Sequence, residues 1–216
     1  MSRVAVIDYG MGNLRSVAKA LEHVNPRARV LVTADKDDIK NADHIVFPGQ
    51  GAIGSAMQAL KQRGLDQVLL QEIDKKPFLG ICLGLQVMME HSEEDGGTQG
   101  LGLIPGQVKR FPDPHMDTHS NTRLKVPHMG WNQLHQTCAH PLWQGIQQDS
   151  RFYFVHSYYV TTERSADVAG TCEYGLNFVA AACRDNLFAV QFHPEKSAEA
   201  GLQLLDNFLQ WDGQGA

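Results

Sequence analysis

The sequence predicts an α/β protein: a mostly parallel central sheet flanked by helices, with an additional antiparallel strand region in its second half. Three observations lead there. Short apolar runs such as Val4-Ala5-Val6-Ile7 and Ile45-Val46-Phe47 have the texture of strands buried on both faces, which parallel sheets require. In the first part of the chain such runs alternate with stretches of helical spacing. Beyond about residue 100 the runs follow one another through short links, so the second half is strand-rich.

Taken in order, 3–8 reads as the first strand and 12–24 as a helix, its apolar stripe formed by Leu14, Val17, Ala18 and Leu21. Strands at 29–33 and 44–47 follow, the second running into Pro48-Gly49-Gln50-Gly51. Helical stretches at 52–60 and 65–73 lead to an apolar strand that passes straight into a helix, with Cys82 at the turn. Further strands are expected at 107–111, 151–156, 168–173, 178–184 and 187–192. A closing helix at 198–211 aligns Leu202, Leu205, Phe208 and Leu209. Residues 112–122 hold two prolines and two histidines without periodicity, and read as a mobile surface excursion. No repeat or low-complexity linker divides the chain, so one domain over 1–216 is expected.

Composition narrows the function classes. A formal charge of −5 spread over 216 residues gives no electrostatic footprint for nucleic acid. Cys82, Cys138, Cys172 and Cys183 are too scattered for a disulfide scaffold or a zinc pattern. The N-terminal apolar run is too short for a signal peptide, and no stretch is long enough to span a membrane, so a cytoplasmic protein is expected. Five histidines (His115, His119, His128, His135 and His140) match no metal-ligand spacing; they are expected on surface loops, with no metal and no cofactor.

The chemistry gathers at Gly80-Ile81-Cys82-Leu83-Gly84. It is the thiol counterpart of the Gly-x-Ser-x-Gly elbow, in which a tight strand-to-helix turn lifts a nucleophile clear of the sheet. Glycines two residues to either side leave the bend free of side chains, which argues against a merely buried core cysteine. The helix terminus favours a thiolate, and free backbone N–H groups can receive an oxyanion. A base is offered by Phe192-His193-Pro194-Glu195, where a strand end presents His193 and Glu195 follows two residues on to orient it. Gly49 and Gly51 permit backbone N–H groups to turn toward a developing negative charge, though a Pro-Gly turn alone looks the same. Asp8-Tyr9-Gly10-Met11-Gly12-Asn13 is no dinucleotide loop, because Arg15 stands where the third glycine belongs.

With Gly80-Ile81-Cys82-Leu83-Gly84-Leu85-Gln86 upstream and His193-Pro194-Glu195 downstream, the chain resembles the class I glutamine amidotransferases over nearly its whole length. Asp8–Leu14, His128-Met129-Gly130-Trp131-Asn132 and Phe152–Tyr159 narrow the likeness to the glutaminase subunits of imidazole glycerol phosphate synthases. The 112–122 stretch looks longer than that family's usual link.

The resemblance implies the class I amidotransferase fold and a Cys82-His193-Glu195 triad that hydrolyses glutamine through a thioester. It implies one oxyanion donor at Leu83 N–H and another within Gly49, Gln50 and Gly51. Gln86, Glu94 and the His156-Ser157-Tyr158 segment would hold the glutamine. The partner would be a (β/α)8-barrel cyclase, packed near Asn13, Trp131 and Lys196 and receiving the ammonia. An amidotransferase serving anthranilate or pyridoxal phosphate synthesis would share the triad but lack the Asp8–Leu14 and Met129–Asn132 segments. A stand-alone hydrolase of γ-glutamyl peptides would turn over without a partner. A non-catalytic binding protein of this fold would be free to lose the triad, and all three residues are present.

Overall fold

The computed structural model describes residues 2–117 and 120–214, so His119 lies outside the described residues. The first half runs β1 (Arg3–Ile7), α1 (Leu14–Val24), β2 (Arg29–Thr33), α2 (Lys36–Lys40), β3 (His44–Gly49), α3 (Ile53–Arg63), α4 (Leu65–Glu72), β4 (Phe78–Cys82) and α5 (Leu83–Met88). Strands then dominate: β5 (Met89–Ser92), β6 (Thr98–Gln99), β7 (Ile104–Arg110), β8 (His128–Gln133), β9 (His135–Gln136), β10 (Arg151–His156) and β11 (Tyr158–Thr161). β12 (Val168–Glu173), β13 (Asn177–Arg184), β14 (Leu187–Val190) and α6 (Ala198–Gln210) complete the fold.

One sheet takes strands from both halves, in the order β2-β1-β3-β4-β14-β13-β11-β7-β5-β6, with β12 and β9 added beside β13. The block β2-β1-β3-β4-β14 is parallel throughout. From β14 onward the pairings to β13, β11 and β7 are antiparallel, and only β5 returns parallel on β7. β8 and β10 form a separate antiparallel ribbon.

Alternate strand residues point to opposite faces, and both faces here are buried. Val4, Val6, Val46, Leu79 and Ile81 pack beneath Val17 and Leu21 of α1 and Leu204, Leu205 and Phe208 of α6. Ala5, Ile7, Ile45, Phe47 and Phe78 face the other way, toward α3, α4 and α5. Single-residue alternation thus divides the apolar runs between two cores. No described helix is long and apolar enough to cross a membrane.

Six short elements were not expected: α2, β5, β6, β8, β9 and β11. The 112–122 stretch is not a free excursion. His115 is buried, with Nε2 2.6 Å from Tyr174 O and its ring against Phe111, and Met116 bridges to Arg123. Surface placement also fails for His128 and His140, both buried, while His135 is exposed and pairs with Asp149. His140 is held by Leu142 N–H at 3.1 Å and packs against Phe188 and Trp211. Its Nε2 is buried without a partner, so His140 is a core group held by aromatic packing and one hydrogen bond.

Candidate active site

Three neighbouring parallel strands deliver the candidate catalytic groups at their carboxyl ends: β3 runs into Gly49–Gly51, β4 ends in Cys82, and β14 leads to His193. Gly49 stands directly opposite Cys82 in the β3–β4 register. Cys82 has φ 56 and ψ −105, a strained conformation for a residue with a side chain. The flanking glycines make that turn sterically possible. A Cβ on Gly84 would overlap the backbone oxygen of Phe47, and one on Gly80 would sit 3.0 Å from both Ala189 Cβ and the Gly84 backbone.

His193 is fixed from several directions. Its N–H donates to Tyr153 O at 2.9 Å, and its carbonyl accepts from Ser197 Oγ at 2.6 Å. Ser197 Oγ in turn accepts Tyr153 N–H at 2.9 Å, tying the turn after β14 to β10. His193 Nδ1 lies 2.9 Å from Glu195 Oε1, with only 2% and 1% of the two side chains exposed. The bond to Glu195 places a proton on Nδ1 and leaves Nε2 for the thiol side. Nε2 and Glu195 Oε2 are buried without a hydrogen-bond partner of their own. Burial opposes charge on His193, but Cys82 and Glu195 outweigh it and push its pKa up to about 9. A charged imidazole on His193 is the state this environment favours.

In front of Cys82 lies a cavity of about 460 Å³. Gln50, Gly51, Leu83, Gln86, Glu94, Ser157, Tyr158 and Lys196 line it together with Cys82, and His156 contributes to its wall. Gln86 is buried, with Nε2 3.1 Å from Gln191 Oε1 and 3.5 Å from Tyr158 O. Glu94 accepts Ile53 N–H through Oε2 at 2.8 Å. Burial raises the Glu94 pKa more than that hydrogen bond lowers it. Both His156 ring nitrogens are engaged, by Tyr158 O and His128.

Of the remaining expected residues, Gly49 stands beside Cys82 through the strand register. Asn13 sits at the start of α1, where its Oδ1 accepts from Ser16 Oγ at 2.7 Å. Trp131 is 49% exposed on β8 and meets Tyr153 edge-on, while Lys196 Nζ lies 5.8 Å above the same ring. Trp131 is therefore not a core residue.

Sequence reasoning passed over Gln191, Tyr9 and Ser197. Gln191 is fully buried and directs Nε2 toward Cys82 Sγ at 3.6 Å. Its signal was legible as an amide inside the apolar run Phe188-Ala189-Val190-Gln191-Phe192. Tyr9 is buried, stacked on Phe47 at 5.0 Å, and its hydroxyl presses on Gly49 without a hydrogen-bond partner. Burial and the nearby Cys82 both raise its pKa.

A family model described as glutamine amidotransferase class-I matches residues 5–211. The imidazole glycerol phosphate synthase subunit HisH of Nitrosomonas europaea is 55% identical over 211 residues, covering 98% of this chain and 99% of that protein. The HisH subunit of Dechloromonas aromatica is 57% identical over 208 residues, covering 96% of each chain. Among solved structures, PurLQS from Thermotoga maritima superposes with a TM-score of 0.73 at 17% identity, covering 97% of this chain and 98% of that one. A glutamine amidotransferase crystal structure gives 0.69 at 15% identity, covering 96% and 97%. At such identities the solved structures speak for the fold alone. The sequence relatives go further, and the chain belongs to the class I glutamine amidotransferase family, in its branch of imidazole glycerol phosphate synthase HisH subunits.

Proposed function

We propose that this chain hydrolyses glutamine to glutamate and ammonia, as the glutaminase subunit of an imidazole glycerol phosphate synthase in histidine biosynthesis. The observation that carries the proposal is Cys82 on a strained elbow, beside a buried His193–Glu195 pair that raises the imidazole pKa to about 9. Cys82 Sγ attacks the side-chain carboxamide carbon of glutamine. The carbonyl electrons move onto oxygen, where Leu83 N–H and a backbone N–H within Gly49, Gln50 and Gly51 receive the charge. As that intermediate collapses, the imidazolium of His193 protonates the departing nitrogen, and ammonia leaves a γ-glutamyl thioester. His193 then takes a proton from water, which attacks the thioester and releases glutamate and the thiol. Glu195 holds the imidazole orientation throughout.

Gln86, Glu94, Ser157 and Tyr158 hold the substrate, with His156 behind them; their place around the cavity supports that assignment. The partner is a (β/α)8-barrel cyclase, with Asn13, Trp131 and Lys196 at the junction. Ammonia released into water is protonated and lost as a nucleophile, which favours release against a partner that uses it. Residues 1–216 act as one amidotransferase unit, supported by a single sheet built from both halves of the chain. The setting is cytoplasmic, where a nucleophilic thiol stays reduced.

The test is Cys82→Ala in the complex with the cyclase. Glutamine-driven synthesis is expected to vanish while synthesis from added ammonium salt persists. Substantial glutamine turnover by the variant would remove Cys82 from this role.

A further inference from the structure

His128 and His156 face each other across the β8–β10 ribbon, and both are buried. Their ring protons are dictated by what surrounds them. A carbonyl oxygen only accepts, so the 2.7 Å contact between His156 Nδ1 and Tyr158 O fixes a proton on Nδ1. Neutral His156 then offers Nε2 as an acceptor, and the 2.9 Å contact with His128 Nδ1 places a proton on that nitrogen. His128 Nε2 is left to accept, and Asn132 Nδ2 approaches it at 3.3 Å. The Asn132 amide is oriented independently: Nδ2 also donates to Glu173 O at 2.8 Å, and Oδ1 accepts Gln133 N–H at 2.8 Å.

Each bond sets the direction of the next, from Asn132 through two imidazoles to Tyr158 O. An added proton on either ring would break a link, because an imidazolium has no acceptor. Burial acts in the same sense, lowering the pKa of His156 to about 3 and of His128 to about 4. The relay ends at the cavity wall, where Tyr158 O also lies near Gln86 Nε2. Ser157, the one residue between β10 and β11, marks the corner at which the chain leaves the ribbon for the main sheet.

We propose that Asn132, His128, His156 and Tyr158 form a one-way hydrogen-bond relay that locks the Ser157 corner of the glutamine pocket to β8, making both histidines positioning residues for glutamine. The proposal rests on the glutaminase function above. A pocket corner held this way contacts ground state and transition state alike, so its loss weakens substrate binding more than turnover.

Two measurements test it. In the isolated chain at pH 7, nitrogen NMR of the imidazoles should find both His128 and His156 as neutral Nδ1–H tautomers. Either ring found as the Nε2–H tautomer or as imidazolium overturns the relay, whatever the activity. In the complex with the cyclase, His128→Leu should raise the glutamine KM by roughly tenfold and change kcat by less than about twofold. His128→Asn, whose amide N–H takes the place of Nδ1–H, should recover most of that loss. An unchanged KM in a folded His128→Leu variant refutes the positioning role, and if that variant does not fold, the tautomers and the Asn variant decide. A wild-type complex unable to turn over glutamine would instead sink the glutaminase function and leave the tautomer result standing.

Discussion

Replacing Gly84 by alanine tests how tightly the elbow is built. A Cβ at this position overlaps the carbonyl oxygen of Phe47 and lies 3.2 Å from Phe47 Cδ1. Phe47 is fully buried in β3 between the sheet neighbours β1 and β4, so its backbone has nowhere to retreat. The displacement must fall on α5, which begins at Leu83. Overpacking of this kind costs about 1–3 kcal/mol. For a chain of this size each kcal/mol shifts Tm by roughly 2–4 °C, so Tm should fall by about 2–12 °C. The functional loss should be larger, because Cys82 and Leu83 N–H ride on the displaced turn. A misplacement of about 1 Å costs on the order of 10²-fold in rate. Gly54→Ala is the matched control: it lies in the first turn of α3, and its Cβ would meet Thr98 Oγ1 at an ordinary 3.4 Å. That variant should be neutral or more stable by about 0.4–1 kcal/mol. Thermal melts and glutamine turnover in the complex read both effects. Wild-type stability and rate in Gly84→Ala would refute the close-approach argument.

Three further outcomes follow from the site. Removal of the carboxylate in Glu195→Gln should lower the His193 pKa from about 9 toward the ordinary histidine value, and cost less activity than His193→Ala. Because the folded-state pKa is raised, the stabilisation from charged His193 is complete below about 6.5 and lost as pH rises through about 9. Melts across that window should slope downward in wild type and flatten in the variant; identical slopes would show Glu195 to be electrically irrelevant. Tyr9→Phe deletes a buried hydroxyl that has no partner, so stability should hold or rise by up to about 1 kcal/mol. A loss above about 1 kcal/mol would mean the hydroxyl is paired in the folded protein. Finally, if the cyclase acts by turning a backbone N–H of Gly49–Gly51 toward the oxyanion, activation by the cyclase should appear in kcat, because an oxyanion donor, worth roughly 3 kcal/mol, acts only after attack. Activation expressed wholly as a lower KM would point instead to ordering of the glutamine pocket.

The parallel half was legible because its apolar runs are buried on both faces and separated by amphipathic helices. β8 was not, since in His-Met-Gly-Trp-Asn-Gln the alternating apolar residues Met129 and Trp131 are exposed and the polar His128 is buried; it is a strand because it pairs with β10, whose Phe152 and Phe154 supply the buried face. β11 was hidden by a link of one residue, Ser157, which gave no turn signal between it and β10. Cys82, His193 and Glu195 were readable from motif and spacing, and the cavity residues only through family resemblance. Gln191 and Tyr9 escaped because each sits in a strand or turn explained by other residues. Three histidines expected at the surface are buried because each packs its ring against aromatic neighbours and pairs at least one ring nitrogen inside.

The division of the sheet into parallel and antiparallel halves has a chemical consequence. Parallel neighbours end on the same side, roughly 4.8 Å apart. β3, β4 and β14 are consecutive in the sheet, and they present in sequence the Gly49–Gly51 loop, Cys82 and the segment leading to His193. Cys82, His193 and the Gly49–Gly51 backbone are therefore brought within reach of one another by strand spacing alone. Antiparallel neighbours end on opposite sides and cannot do this. The ribbon and the antiparallel half supply something else: β10 of the ribbon and β11 of the sheet, meeting at Ser157, bring Tyr153 and Tyr158 to the wall of the same cavity. His193 N–H on Tyr153 O and Ser197 Oγ beneath Tyr153 N–H bind the ribbon to the segment after β14 beside the imidazole. A substitution that loosens β10 should therefore disturb the imidazole and the substrate wall at once, whereas one in β1 or β2 should cost stability without reaching either.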